Sequence, residues 1–362
     1  MAPRFLGRDY SLIGQNSRLA EEKGLASADW YAPAIPRKRL KELMQRRDGP
    51  AIRDTLIWIA LLASTGVAGY FTWRRWWCIP IFAVYGVLYG SASDSRWHEC
   101  GHRTAFKTQW MNDAVYQIAC FMVLREPEPW RWSHTRHHTD TIIVGRDPEI
   151  AAPRPPNLLA MALNFFALWS GPIHFRKLFL HCLGRLRAEE QTYIPLEQRA
   201  TVYRTARIWA AIYAGVIVWS IAVRSILPLM FIGLPSFYGA WLLVVFGLTQ
   251  HAGLAEDVLD HRLNCRTVYL NPIFRFIYWN MNYHIEHHMF PMVPFHALPK
   301  LHRRVQGVLP RTYTGLIDAL QEIIPALIRQ SKDATYFVLR EVPSNAVSRT
   351  QADGGIGGTD YV

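Results

Sequence analysis

Three stretches of the chain show no alternation of polar and apolar positions. Residues 55–71 (TLIWIALLASTGVAGYF) and 78–93 (CIPIFAVYGVLYGSAS) carry no charged side chain, and residues 208–248 carry only Arg224. A helix that is apolar on every side faces lipid or a large protein core. At about 1.5 Å per residue, the first two runs approach the roughly 30 Å of a hydrocarbon layer. The third would be about 61 Å long as one helix, and an arginine at mid-membrane costs roughly 2.5–3.5 kcal/mol. It therefore reads as two crossings, with Arg224 near the far interface and Pro228 and Pro235 near the bend. Four spans are expected.

The shorter runs read differently. Residues 112–124 are apolar but too short to span, which predicts a re-entrant or surface-lying helix. Residues 158–179 are interrupted by Pro172, His174, Arg176 and Lys177 and predict an interfacial amphipathic helix. Near the C-terminus, Leu316, Leu320, Ile323 and Leu327 recur at helical spacing. The expected organisation is a basic cytoplasmic segment over residues 1–54, a membrane catalytic domain over 55–310, an amphipathic helical segment over 311–341, and a disordered Gly/Ser/Thr-rich tail over 342–362. No repeat of fixed period is present.

Composition narrows the class. Half of the 362 residues are hydrophobic and 19% are charged, which excludes a disordered chain and an ordinary soluble domain pair. The net charge is +12, and eleven of the Lys and Arg residues lie at or before Arg53, so the positive-inside rule keeps that segment cytoplasmic. Between the first two runs, Trp73, Trp76 and Trp77 beside Arg74 and Arg75 form an interfacial aromatic belt. No apolar leader is visible in the first thirty residues, so no cleavable signal peptide is expected. Five scattered cysteines without a C-x-x-C pair exclude a disulfide framework and a cysteine zinc site.

The candidate chemistry lies in the histidines. Fourteen are present, and eight fall into three groups: His98 and His102, then His134, His137 and His138, then His284, His287 and His288. Residues at i, i+3 and i+4 share one face of a helix, so each group presents its imidazoles toward a common point. His251, just past the fourth span, is a ninth candidate. In the four-span topology all nine emerge on the cytoplasmic side. Nine imidazoles exceed the needs of one ion, since zinc sites take about four ligands; two ions with four or five nitrogens each would use them all. Imidazole suits Zn, Cu, Fe and Ni alike. Glu99, Asp140, Asp147, Glu149, Asp257 and Glu286 stand where carboxylates orienting ligand imidazoles are expected. His174, His181, His296, His302 and His261 read as ordinary polar residues, and Cys100 as a small buried one. The fold class is thus all-α: about four transmembrane helices with a cytoplasmic helical cap carrying a histidine-rich dimetal site.

The order H-x-x-x-H, H-x-x-H-H, H-x-x-H-H resembles the membrane fatty acid desaturase and hydroxylase superfamily. The third group, His284-Ile285-Glu286-His287-His288-Met289-Phe290-Pro291, is especially similar. The resemblance covers roughly residues 55–304. It implies two iron ions, O2 as co-substrate, and His98, His102, His134, His137, His138, His284, His287 and His288 as ligands, with His251 matching the extra histidine after the last span. It implies a C–H oxidation that ends in a double bond or an alcohol, or in demethylation where the carbon bears an oxygen or nitrogen. Desaturation of a fatty acyl lipid is the leading expectation. Residues 253–292 also resemble bacterial desaturase-like proteins linked to rhizopine breakdown, which implies a hydroxylase or oxidative demethylase of a small methylated substrate. No His-Pro-Gly-Gly haem signature occurs, so a separate ferredoxin or Rieske-type carrier with its reductase is the expected donor, docking on the basic face. A bacterial inner membrane is the expected setting, and no nucleic-acid partner is implied.

Two rivals are weaker. His98-Glu99-Cys100-Gly101-His102 satisfies the H-E-x-x-H motif of zinc metalloproteases, but a protease leaves most of the other clustered histidines without a role. A metal transporter would place its ligands inside the spans near the midplane, whereas these lie outside them.

Overall fold

The fold is given by a computed structural model that describes residues 8–343. Among these the secondary structure is helical, with two isolated β-bridges, Thr267 to Tyr283 and Val268 to Tyr313. The tail expectation for residues 342–362 lies almost wholly outside the described residues.

Two helices are long and apolar enough to cross a membrane, within Arg37–Phe71 and Leu196–Ala222. The first contains the 24-residue helix Asp48–Phe71, whose first turn opens on an aspartate, favourable at the positive end of a helix dipole. Its outer face leaves Leu56, Ile57, Ile59, Val67 and Phe71 exposed, and the second leaves Ile208, Val218, Trp219 and Ile221 exposed. Apolar surface of that extent on a folded chain marks contact with lipid or a partner.

The residues 78–93 run is one rod with a flaw in it. The helix Cys78–Gly86 passes through a π-turn, Val87–Ser91, into Ala92–Gly101, which carries the first histidine group. The flaw coincides with a tight crossing. A Cβ placed on Gly239 would lie 1.8 Å from the Gly86 carbonyl oxygen, and one on Gly90 would lie 2.7 Å from the Pro235 oxygen. Ser91 Oγ donates to Gly239 O (2.5 Å) and accepts from Leu243 N–H (2.9 Å), which ties the π-turn to the strap beneath it.

The residues 208–248 run bends where its prolines and Arg224 suggested, but its second half is not one rod. After Ala222 the chain turns at Arg224 (φ 50°) and continues as the short helices Leu227–Phe231, Pro235–Tyr238 and Trp241–His251. Pro228 and Pro235 each open a new helix, as a residue without an N–H does most easily, and Gly233 (φ 99°) supplies the left-handed joint between them. Residues 158–179 likewise divide into Leu158–Asn164 and Ser170–Cys182, jointed at Ala167 (φ 51°), with Asn164 Oδ1 accepting from Ser170 N–H. Residues 112–124 fall in the helix Gln109–Met122, packed along Ala92–Gly101. The C-terminal helix Leu316–Lys332 buries Ala319, Ile323 and Leu327 against Ala252, Val268 and Tyr313.

Outside the histidine cluster the main buried polar feature is a clamp on the second histidine helix, Pro127–Thr139. His181 Nδ1 donates to Glu126 (2.7 Å), the residue before Pro127, and its Nε2 faces Glu190 (3.2 Å). Burial opposes a charge on this imidazole, but the two carboxylates overcome it and raise it to about 9. Burial also opposes charge on Glu190, yet His181 and Lys177 draw it down to about 2.

Two outcomes are expected. Gly239→Ala overpacks the crossing and costs about 2 kcal/mol, a fall of about 3 °C in Tm for a chain of this length; Gly215→Ala, whose Cβ meets nothing within 4 Å, leaves Tm unchanged or raises it. The clamp's histidine has a folded value above its ordinary 6.5 and Glu190 one below its ordinary 4.5. The contributions of His181 and Glu190 are therefore complete between those two values, lost as pH rises through about 9 and as pH falls through about 2, while Glu126, which burial raises, works in the opposite sense. His181→Ala should cost about 3 kcal/mol at pH near 6 and much less near pH 10, as thermal unfolding at the two pH values will show.

Candidate metal centre

Each histidine group is delivered by a helix end. His98 lies in the last turn of Ala92–Gly101 and His102 caps it; His134, His137 and His138 occupy the second half of Pro127–Thr139; His284, His287 and His288 lie on the six-residue helix His284–Met289; His251 ends Trp241–His251. Helix ends suit this task because their side chains reach past the rod into the space between elements.

The nine imidazoles converge into two sets. Ligand atoms of His98, His102, His134, His138 and His287 lie within 4.8 Å of one another, and so do those of His137, His251, His284 and His288. The H-x-x-H-H spacing accounts for the division. Adjacent residues on a helix point about 100° apart, whereas i and i+4 share a face. His134 and His138 therefore enter one set while His137 enters the other, and His284 and His288 enter the second set while His287 enters the first. The second and third groups each straddle both sets.

Within the sets, ring nitrogens face ring nitrogens. Nε2 atoms of His102 and His134 are 3.1 Å apart, those of His138 and His287 3.1 Å, those of His251 and His284 2.9 Å, and those of His284 and His288 3.0 Å. The outer nitrogens set the tautomers. His134 Nδ1 donates to Glu149 (2.9 Å), His137 Nδ1 to Asp147 (2.8 Å) and His251 Nδ1 to the Asn264 carbonyl (2.8 Å), while His288 Nδ1 lies 3.2 Å from Thr141 Oγ. With the proton outside, each Nε2 turns a lone pair inward.

Burial, reinforced by the neighbouring imidazoles, holds His98, His102, His138, His251, His284, His287 and His288 well below the usual histidine range. His137 differs: burial works against its charge, but Asp147 more than offsets it and raises it. Burial likewise opposes ionisation of Glu149, yet His134 and His137 bring it down to about 2. Both His98 ring nitrogens, and the Nδ1 atoms of His138, His284 and His287, are buried without a hydrogen-bond partner among the described residues. Neutral imidazoles with converging, unpaired lone pairs are the protonation state that metal binding requires. The residues present thus fit two cations, one per set, and imidazole suits iron among the first-row metals.

The expected carboxylates separate into two classes. Asp147 and Glu149 do hold clustered imidazoles, and Glu99 Oε1 stands 3.6 Å from His98 Nδ1 and 3.8 Å from His287 Nδ1. Burial pushes the Glu99 carboxyl up to about 8 against the Phe295 N–H and Thr104 that favour its charge. The other three do other work. Asp140 accepts from Arg146, Asp257 accepts from Val144 N–H, and Glu286 faces His302 and accepts from Thr267. Glu286 lies between cluster histidines in sequence, but its position on the short helix aims it away from the rings. Of the histidines set aside, His181 and His302 have carboxylate partners, while His261 lies against the centre: its ring is 5.0 Å from His288 and stacked on Trp30 at 4.2 Å. Nothing in its spacing from His251 signals that contact.

Beside both sets lies a cavity of about 400 Å³, lined by His98, His134, His137, His251 and His284 together with Trp97, Leu124, Ala240, Val244 and Met161. It places a substrate-sized space against the cluster.

Comparison with known proteins agrees with this arrangement. The chain is 28% identical over 228 residues to the Delta(5) fatty acid desaturase fat-4 of Caenorhabditis elegans, covering 56% of this chain and about half, 51%, of that protein. It is 23% identical over 283 residues to the sn-1 oleoyl-lipid 12-desaturase of Synechocystis, covering 72% and 77% of the two chains. To the acyl-lipid omega-3 desaturase (cytochrome b5) of Arabidopsis thaliana it is 24% identical over 304 residues, covering 77% and 76%. A model of the fatty acid desaturases matches residues 74–319, a span that holds all nine clustered histidines, and the chain belongs to that family of oxidoreductases.

Proposed function

We propose that the chain is an O2-dependent di-iron oxidoreductase that removes hydrogen from an unactivated C–H bond, most directly as a fatty acyl lipid desaturase. The observation that carries the reading is the division of nine converging imidazoles into sets of five and four beside one cavity. His98, His102, His134, His138 and His287 would hold one iron, and His137, His251, His284 and His288 the other. When bound, the iron pair supplies the oxidising power that O2 and external electrons make available. The chain supplies the rest: Asp147, Glu149 and the Asn264 carbonyl fix the ring tautomers, and the cavity beside the cluster seats the substrate carbon.

In this reading four passages cross the membrane, with the paths through Cys78–Gly86 and Trp241–His251 joining the two long apolar helices, and the centre lies on the cytoplasmic side of a bacterial inner membrane. The basic N-terminal segment supports that orientation. Electrons come from a separate ferredoxin or Rieske-type carrier. In support, a surface groove lined by Trp30 and Trp132, with Arg136 and Arg146 paired to Asp140 and Glu21, reaches His138, and the net charge of +12 would attract an acidic carrier to the chain. A second reading, hydroxylation or oxidative demethylation of a small methylated substrate, is favoured by the polar side chains Asn164, Ser170 and Gln250 in the cavity wall.

Metal analysis of the purified protein should find about two irons per chain, and His287→Ala should lower iron content with the fold retained. Retention of full iron would remove His287 from the ligand set, and about one zinc with no iron would reject the proposal. Turnover under labelled O2, with products identified by mass, separates the branches. Desaturation leaves the organic product unlabelled, whereas label in the product assigns hydroxylation.

A further inference from the structure

The cavity holds a polar device that the histidine centre does not need. Asp94 lies one helical turn before His98, on the face that lines the cavity, and Arg125 Nη1 donates to Asp94 Oδ1 at 2.5 Å. Trp97 Nε1 donates to the same oxygen at 2.9 Å. Arg125 is sandwiched between tryptophans, its guanidinium carbon 4.9 Å from the Trp97 ring and 4.4 Å from the Trp130 ring. The Trp97 ring in turn lies 5.3 Å from His134 and 5.7 Å from His98, so the pair stands directly beside the proposed metal ligands.

The backbone is bent to put Arg125 there. Gln109–Met122 ends with Leu124 in the left-handed region (φ 57°), closed by Arg125 N–H to Cys120 O (2.9 Å) and Leu124 N–H to Phe121 O (3.3 Å). Glycine normally occupies this position, and a branched side chain there is strained.

Hydrogen-bond accounting shows what the device can hold. Among the described residues Arg125 makes one side-chain hydrogen bond, so its remaining N–H donors are open, and Asp94 Oδ2 accepts none. Both side chains are partly open to the cavity, 21% and 13% exposed. His174, also in the wall, makes no side-chain hydrogen bond to the described residues. Burial, with Lys177 and Arg125 nearby, holds it down at about 3, so it is uncharged at neutral pH. The Asp94 and Arg125 charges cancel. A plain hydrocarbon would strand these donors and acceptors at a cost. An ester carbonyl, which only accepts, leaves Asp94 Oδ2 unanswered, and a carboxylate is repelled by it. A hydroxyl group both donates and accepts.

We propose that the cavity takes a substrate bearing a neutral hydroxyl group, which narrows the acyl lipid of the reading above to a chain hydroxylated near the carbon to be oxidised, the hydroxyl held between Asp94 Oδ2 and Arg125. This rests on the reading of the cavity as the substrate site, and it makes Asp94 and Arg125 binding residues that decide specificity. The test is equilibrium dialysis of the purified full-length protein in lipid nanodiscs, with empty discs subtracted, against 1-decanol, 1-fluorodecane and decanoate. The alcohol should bind roughly tenfold more tightly than either of the others. Arg125→Met should erase the preference, and Asp94→Asn, which leaves the cavity with a net positive charge, should move it to decanoate, with iron content unchanged in both. Equal binding of the three probes, tightest binding of decanoate by the parent protein, or an unmoved ranking in Asp94→Asn would overturn the proposal. The parent ranking and Asp94→Asn decide the matter even where Arg125→Met does not fold. A protein without iron or O2 uptake would defeat the oxidation reading alone, because binding is measured without turnover.

Discussion

Nine imidazoles taken out of water with their lone pairs turned on one another are the constraint around which this protein is built. Contacts of about 3 Å between unprotonated nitrogens are unfavourable until a cation sits among them, and burial holds seven of the nine rings well below the usual histidine range. The outer nitrogens have therefore to be held firmly. Asp147, Glu149, Thr141 and the Asn264 carbonyl do so from loops, and each of those loops is pinned in turn: Ile142 N–H donates to Asp147, Asp257 N–H to the Ile142 carbonyl, and Asn264 Nδ2 to the Thr141 carbonyl.

The cost of that rigidity appears as backbone strain near the centre. Arg103, Leu124, Ile142, Asp257, Trp279 and Asn280 all have positive φ without being glycine; they lie at the exit of the first histidine helix, the approach to and exit from the second, beyond His251, and before the third. Such residues persist only where surrounding packing over-determines them, and they concentrate at functional sites. The π-turn Val87–Ser91 has the same character: one added residue in the rod sets the rotation at which Ala92–Gly101 presents His98.

The molecule also divides its polar and apolar work by position. The outward faces of Asp48–Phe71 and Leu196–Ala222 offer isoleucine, valine and leucine to lipid, while buried carboxylates hold imidazoles both at the centre, through Asp147, and in the His181 clamp. Asp94 and Arg125 sit where these regimes meet, charged yet mutually neutralised, at the edge of the cavity.

Helix content, the two longest apolar rods and the histidine groups were legible in the chain because each depends on local spacing: uninterrupted apolar runs, and the i, i+3, i+4 rule. That rule points each group at one common place, and here the structure corrects it: His137 parts from His134 and His138, and His287 from His284 and His288, so that two groups straddle both sets. Other features depend on elements distant in sequence and left no local signal. His261 reached the centre through the fold of a loop, Glu286 turned away to His302, and Asp140 and Asp257 went to an arginine and a backbone amide. The break-up of residues 208–248 beyond Ala222 was foreshadowed by its prolines, but its path was decided by the close approach of Gly239 to Gly86. Local periodicity determines which way a side chain leaves its own helix; which neighbour it meets is settled only when separate helices pack, because that is a property of pairs that no single segment contains.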